Sequence, residues 1–183
     1  MFTVIKPDNK QYYQNELHEM FLRRAHDQLN IDSLLYDHQD SVYIYFNDIK
    51  SGIYGSARLN PMTSKNLVRD SVSLDITSQD MKKVWECSTL SFHIEDNHPA
   101  YDCPKIFDIY CTFYYKMLHE ALIKVCRDMD INILLLFNTS DELKDMKNFG
   151  HIHFDKVFTI NEGQELSLAV MTFPSHQKKM LMM

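Results

Sequence analysis

A single carboxylate stands inside an otherwise apolar run near the middle of the sequence. Glu86 lies in the segment from Val84 to Ile94, whose alternating residues are typical of a β-strand. A charged side chain in such a strand costs free energy unless it is solvated or paired. Two interpretations follow: Glu86 exchanges protons in catalysis, or it forms a structural ion pair with Arg58.

Histidine offers a second kind of chemistry, because the chain has nine of them. On a strand, His151 and His153 would point to the same side, as two metal ligands must. No nearby cysteine or third histidine completes a ligand shell at the usual spacing. We therefore expect an exposed polar face here and no metal site.

Length and composition predict one domain. The chain has 183 residues, of which 45% are hydrophobic and 12% aromatic, enough for one sizeable core and too few for two ordinary domains. We expect a single domain over residues 1–175 and a C-terminal tail over residues 176–183. The net charge of −6 argues against nucleic acid as the main partner.

The chain carries no pattern of a membrane or secreted protein. Its longest apolar run, from Ile133 to Phe137, is far shorter than the ~20 residues of a membrane span. The N-terminus lacks the basic and apolar regions of a signal peptide. The four cysteines contain no C-x-x-C pair, which suits free thiols in a reducing compartment. These features predict a cytoplasmic protein.

Hydrophobic periodicity predicts an α/β (α+β) fold with one central sheet. The predicted order is strand, helix, three strands, helix, strand, helix and two strands. After an N-terminal strand, helices are expected at residues 15–29, 106–127 and 140–148, and strands at residues 41–46, 53–59, 84–94, 131–137, 151–160 and 166–173. This order resembles the GNAT acyltransferase fold, a three-layer sandwich with a mixed, mostly antiparallel sheet flanked by helices.

Four short motifs resemble the acyl-homoserine lactone synthases, the enzymes that make autoinducers for quorum sensing. The resemblance covers the whole chain in element order, whereas its specific motifs lie within residues 16–92. The motifs are Glu16 to Met20 in the first helix, Tyr36-Asp37, Gly55 to Thr63 at the end of a hairpin, and Val84 to Ser88.

The resemblance implies an acyl transfer. In that family the acyl group of a carrier-protein thioester passes to the amine of S-adenosylmethionine, and the product lactonises with loss of methylthioadenosine. Glu86 would be the general base or support it, because the attacking amine must lose a proton. No separate cofactor is implied. Substrate binding would involve Asp37, Arg58, Cys87, Ser88 and Thr89, and the acyl chain would lie along Leu90, Leu134 and Leu136.

Several family positions carry other residues. Phe21 and Thr89 stand where the family has arginines, and Ala25, Ile31 and Leu34 replace a phenylalanine, a tryptophan and an acidic residue. Those family residues position the nucleoside substrate. Two alternatives therefore remain open: an acyltransferase that uses a different small-molecule amine, and a catalytically silent binding domain with the same fold.

The acyl donor is also open. After Phe92 the sequence lacks the Gly-x-Gly with which CoA-dependent members of the wider fold hold pyrophosphate. This favours an acyl carrier protein, or no donor, over a CoA thioester. Carrier proteins are acidic, so basic residues would dock them. The candidates are Arg23, Arg24, Lys105, Lys116 and Lys124.

Overall fold

The computed structural model describes residues 2–26, 36–48, 53–71, 81–95, 98, 102–138, 143, 152–160 and 164–172. These residues form seven strands and three α-helices. The strands are β1 (Phe2–Ile5), β2 (Val42–Asp48), β3 (Ile53–Pro61), β4 (Val84–Ile94), β5 (Ile133–Asn138), β6 (Ile152–Ile160) and β7 (Gln164–Thr172). The helices are α1 (Gln14–His26), α2 (Leu67–Ser71) and α3 (Pro104–Asp128).

All seven strands belong to one sheet, in the order β1-β2-β3-β4-β5-β7-β6. Strands β4 and β5 are parallel, and the other neighbouring pairs are antiparallel. The parallel pair needs a long connection, which α3 provides because it lies between these two strands in the chain. The predicted mixed, mostly antiparallel sheet is confirmed.

Helices cover both faces of the sheet. In β2, Val42 and Ile44 point into the core under α3, whereas Tyr43 and Tyr45 point to the opposite face and pack with Met20 of α1. A further apolar cluster joins α2 to the ends of β4, β5 and β7 on that second face. The predicted three-layer sandwich is therefore confirmed.

Strand β4 has a bulge and extends beyond its pairing with β5. Opposite β3, Ser88 pairs with Arg58 but Ser91 pairs with Ser56, so two β4 residues face Ala57 alone. Because of the extra residue, even-numbered side chains of β4 point toward α2 before the bulge and toward α3 after it. The pairs recorded between β4 and β5 run only as far as Ser88 and Phe137, while β4 continues beside β3 to Ile94.

The core under α3 is closely fitted around Tyr114. Its ring stacks on Phe92 with 4.8 Å between centroids and lies against the backbone of Gly55. A Cβ atom at Gly55 would approach the Tyr114 ring to 2.0 Å. Only glycine leaves room for this ring, which brings α3 close to β3.

Three details differ from the sequence prediction or lie outside the described residues. The predicted end of the third strand before Asn60 is wrong, because β3 continues to Pro61, which pairs with Trp85. The predicted helix over residues 140–148 lies outside the described residues except for Leu143, which is helical and buried. The tail over residues 176–183 also lies outside them.

Among the described residues, no helix combines the length and apolar character needed to cross a membrane.

Candidate active site

The site begins with a row of polar side chains on one face of β3 and β4. Arg58 and Asn60 of β3 stand opposite Ser88 and Glu86 of β4. Side chains alternate along a strand, so these four share a face, and all four are fully buried. This face is the one covered by α2.

Glu86 is held between β4 and the start of α2. Its Oε1 accepts a hydrogen bond from the Ser88 hydroxyl at 2.6 Å, and its Oε2 accepts one from the Val68 backbone N–H at 2.7 Å. Asn66 caps the same helix, because its Oδ1 accepts the Arg69 N–H at 2.9 Å. The carboxylate therefore meets backbone donors that the first turn of a helix leaves unpaired.

Arg58 connects Glu86 to the segment before β2. Its guanidinium donates to the Ser88 hydroxyl at 3.1 Å and to Oδ1 of Asp37 at 3.2 Å. It also lies 5.8 Å from the centroid of the Tyr36 ring. The recorded ion pair of Arg58 is with Asp37, and the contact toward Glu86 passes through Ser88. An Arg58 side chain that extends into solvent is ruled out by its full burial.

Asp37 also accepts a hydroxyl hydrogen bond and lies near a lysine ammonium group. The Tyr43 hydroxyl donates to its Oδ1 at 2.8 Å. The Lys10 ammonium donates to the carbonyl oxygens of His38 and Gln39 at 2.6 and 2.9 Å, just beside it. Burial lowers the pKa of Lys10, against the attraction of the nearby carboxylates of Asp37 and Asp40. Lys10 was not predicted from the sequence because it lies far from the motifs.

The protonation of Glu86 reflects a balance of opposing effects. Burial raises the pKa of Glu86 above its ordinary value, because a charged carboxylate loses its hydration. The hydrogen bonds from Ser88 and Val68 and the positive charge of Arg58 partly offset that rise. The result is a carboxylate whose proton affinity is higher than that of a solvated glutamate.

Asn60 supports the segment that carries Asp37. Its side-chain amide donates to the Tyr36 carbonyl oxygen at 2.9 Å, and its Oδ1 accepts the Ser41 hydroxyl at 2.6 Å. The sequence prediction missed this role. The alternation of Ser56, Arg58 and Asn60 along β3 would have indicated it, since it shows one polar face on an inner strand.

The other predicted site residues lie elsewhere. Cys87, Leu134 and Leu136 are fully buried in the core under α3, on the opposite face of the sheet from the Glu86 carboxylate. Cys87 and Leu136 are register partners across β4 and β5. The backbone of Thr89 and Leu90 forms the bulge, and their side chains lie outside what the structure describes.

The family positions on α1 are partly visible. Phe21, which stands where the family has an arginine, packs its ring edge-on against Tyr43, with 6.1 Å between centroids. The side chains of Arg23, Arg24 and Ala25, and the whole of Ile31 and Leu34, lie outside the described residues. Lys105, Lys116 and Lys124 are exposed on α3.

In the part of the chain that the structure describes, no cluster of histidine, cysteine or acidic residues could hold a metal. His151 lies outside the described residues. All four cysteines are free thiols. Burial raises the pKa of Cys126 to about 12, so this thiol is inert at neutral pH.

Comparison with known proteins identifies the fold. No protein-family model matches the chain, and no curated protein matches it in sequence. Among solved structures, it is similar to TofI in an apo form (TM-score 0.63, 20% identity, 94% of this chain and 90% of TofI). It is also similar to BjaI, described as a CoA-dependent acyl-homoserine lactone synthase, with SAM and isopentyl-CoA (TM-score 0.65, 16% identity, 97% of this chain and 88% of BjaI). The AHL synthase LasI is a third match (TM-score 0.64, 14% identity, 93% of this chain and 90% of LasI). The chain therefore has the fold of acyl-homoserine lactone synthases.

Proposed function

We propose that this protein is an N-acyltransferase of the acyl-homoserine lactone synthase type. It would pass an acyl group from a carrier-protein thioester to the amine of S-adenosylmethionine, and the product would lactonise with loss of methylthioadenosine. The observation that carries the proposal is the fully buried Glu86 carboxylate, linked through Ser88 and Arg58 to Asp37 in a fold shared with such synthases.

Glu86 would receive the proton that the amine loses when it attacks the thioester. The two carboxylate oxygens have four acceptor positions in all, and hydrogen bonds from Ser88, Val68 and Leu67 occupy three of them. The remaining position would take the proton, directly or through water. The raised pKa of Glu86 makes it a stronger base than a solvated carboxylate, which improves proton transfer near neutral pH.

The remaining residues would bind the two substrates. Asp37 and Arg58 would hold the cationic end of the acceptor and the surrounding loop, with the Asp37 carboxylate facing the cation and Arg58 fixing Asp37 in place. Backbone groups near Cys87, Ser88 and Thr89 would polarise the thioester oxygen. Leu90, Leu134 and Leu136 would contact the acyl chain. The β4–β5 pairing supports this arrangement, because it brings Leu136 beside Cys87 and ends at Ser88, two residues before Leu90.

The donor would be an acyl carrier protein in the cytoplasm. A CoA thioester is the competing donor, and BjaI is described as CoA-dependent. The missing Gly-x-Gly after Phe92 favours the carrier protein. Purified protein supplied with each thioester in turn would distinguish the two donors by the rate of thiol release.

The first test is mass spectrometry of a bacterial host that has no lactone synthase of its own. We expect acyl-homoserine lactones and excess methylthioadenosine when the protein is expressed, and a loss of about 10²–10⁴-fold with Glu86→Gln. Glu95→Gln is the matched control, because Glu95 also accepts a hydroxyl hydrogen bond, from Tyr54 at 2.8 Å. Folded protein that yields neither product would refute the synthase activity. Equal product from Glu86→Gln would refute the role of Glu86.

A second candidate is acyl transfer to a different amine. It is favoured by the packing of Phe21 on Tyr43, which puts a neutral ring where the family has an arginine. Thermal-shift measurements with S-adenosylmethionine and a panel of amines would test it. Stabilisation by another amine, followed by its Glu86-dependent acylation, would support this candidate. Ligand binding without any acylation would identify a silent binding domain.

A further inference from the structure

The outer face of α3 carries large apolar side chains that the sheet does not cover. Ile109 is 67% exposed and Phe113 is 57% exposed, and they lie one turn apart on the same face. The opposite face of the helix is buried in the core. Neighbouring apolar side chains left open to water on one helix face are typical of a contact surface.

Charged residues of both signs surround these two side chains. Lys105 and Asp108 precede the apolar pair, and Lys116 and Glu120 follow it, all four exposed. Within the described ranges, no ion pair is recorded for any of them. Their charges are therefore available to a partner.

The order of these residues is self-complementary. When two identical helices pack antiparallel around a two-fold axis, residues equally distant from the axis on either side come to the same level, because the rise per residue is constant. The point between Thr112 and Phe113 lies midway between Lys105 and Glu120. It also lies midway between Ile109 and Lys116. In the antiparallel pair, Lys105 of one helix therefore stands opposite Glu120 of the other. In the same way, Ile109 stands opposite the methylene stem of Lys116.

We propose that this face is the interface of a homodimer in which two copies of α3 pack antiparallel around an axis between Thr112 and Phe113. The two Phe113 rings meet beside the axis. Ile109 lies under the methylene stem of Lys116 of the partner subunit, whose ammonium reaches Asp108. Lys105 pairs with Glu120 of the partner subunit.

A second copy fits this face better than another occupant does. An anionic membrane or an acidic carrier protein favours basic residues alone, whereas here Asp108 and Glu120 alternate with the lysines. In the dimer, Lys105 and Lys116 are engaged with the partner, so a carrier protein would use other basic residues. The interface also lies on the α3 side of the sheet, away from the Glu86 carboxylate. Dimerisation therefore does not depend on the proposed enzyme activity.

One helix pair is a small interface. Stable complexes bury about 1,200–2,000 Å² in total, so we expect a reversible dimer whose population depends on concentration. Sedimentation velocity of the full chain from about 1 to 200 μM covers the corresponding range of dissociation constants. The wild-type protein is expected to shift from monomer to dimer over that range.

Four variants test the geometry. Phe113→Glu should raise the dissociation constant by at least ~10-fold, because two carboxylates meet beside the axis. Lys105→Glu should raise it by about 3–5-fold through repulsion with Glu120, and Lys105→Glu/Glu120→Lys should restore it. Tyr12→Glu is the control, since Tyr12 is 75% exposed elsewhere on the surface and should leave the constant unchanged.

Three outcomes would overturn the proposal: a wild-type protein that stays monomeric throughout, a charge exchange that does not restore association, or an equal loss with Tyr12→Glu. Thermal unfolding of each variant checks that the fold is kept. Because the readout is association, a failed dimer and a failed acyltransferase are distinguished directly.

Discussion

Where β3 and β4 pair, the two faces of the central sheet have opposite chemistry although the same two strands form both. In β3, Leu59 lies in the apolar core under α3, whereas its neighbours Arg58 and Asn60 belong to the polar face. In β4, Cys87 faces α3, whereas Glu86 and Ser88 face α2. All six of these side chains are fully buried, so burial alone does not distinguish the two faces.

Burial has opposite effects on the free energy of folding on the two faces. Apolar side chains under α3 gain free energy from leaving water, in proportion to their buried area. The charged groups on the other face lose hydration, and their mutual hydrogen bonds only partly offset that loss. A chain under selection for stability alone would favour apolar residues on both faces. Stability alone therefore does not explain the polar face, whereas the proposed acyl transfer would.

The largest expected effect comes from removing the cation of the polar face. Arg58→Ala should lower the free energy of unfolding by about 3–5 kcal/mol, because it empties a fully buried position and removes the cation paired with the largely buried Asp37 carboxylate. Chemical denaturation measures the loss. Arg69→Ala, an exposed arginine on α2, should cost far less. Equal losses for the two variants would contradict the proposed importance of the buried network.

A substitution at Leu59, the neighbour of Arg58 in β3, tests the apolar face instead. Leu59→Ala should cost about 2–5 kcal/mol by leaving a cavity in the core under α3. Because no ionisable group is removed, the loss should be the same from pH 5 to pH 8. Any activity per folded molecule should be retained. A pH-dependent loss, measured by denaturation across that range, would show that the two faces are coupled.

Ser88 offers a smaller and more specific test. Ser88→Ala should cost about 1–3 kcal/mol, since it removes a donor to Glu86 and an acceptor for Arg58. It should also raise the pKa of Glu86 further, because the Ser88 hydrogen bond lowers that pKa. Cys87→Ala, on the opposite face, is the matched control. Its pH profile of stability should match that of the wild type; a shift like that of Ser88→Ala would be contradictory.

The smallest effect should be the pH dependence that Glu86 itself imposes. Its pKa is raised in the folded state from the ordinary 4.5, so its stabilising contribution is complete below pH 4.5 and is lost as the pH rises through the raised pKa. The stability of the wild type relative to Glu86→Gln should fall over this window and then level off. Paired denaturation curves from pH 4 upward measure it. A difference that rises with pH would mean that the pKa is lowered instead.

Residue types and spacing were enough to predict the order of the strands and helices, and the resemblance of that order to the GNAT fold implied the mixed sheet and the three layers. Glu86 was also singled out as a charge within an apolar strand, whereas Arg58 and Asp37 were found through the motifs that resemble the synthase family. The Ser88 bridge was not predictable, since it depends on the register of β3 against β4. The contact from Val68 depends on where a five-residue helix docks, which no local pattern encodes.

The acyl-chain residues illustrate the same limit. Leu134 and Leu136 were expected beside the catalytic strand, and Leu136 is indeed a register partner of Cys87. Which face they occupy relative to Glu86 depends on the parallel register of β4 and β5. A shift by one residue reverses the answer, and hydrophobic periodicity does not specify that register.

The hydrogen-bond chain from Asp37 through Arg58 and Ser88 to Glu86 also has a consequence for folding. It joins segments that are distant along the sequence, so it is complete only when β3, β4 and the segment before β2 are all in place. If β4 slipped by one residue, Glu86 would enter the leucine-rich core and Cys87 would face Arg58. Misregistered sheets would thus carry unpaired buried charges. The same groups proposed for catalysis would then act during folding as a check on the correct alignment of the central strands.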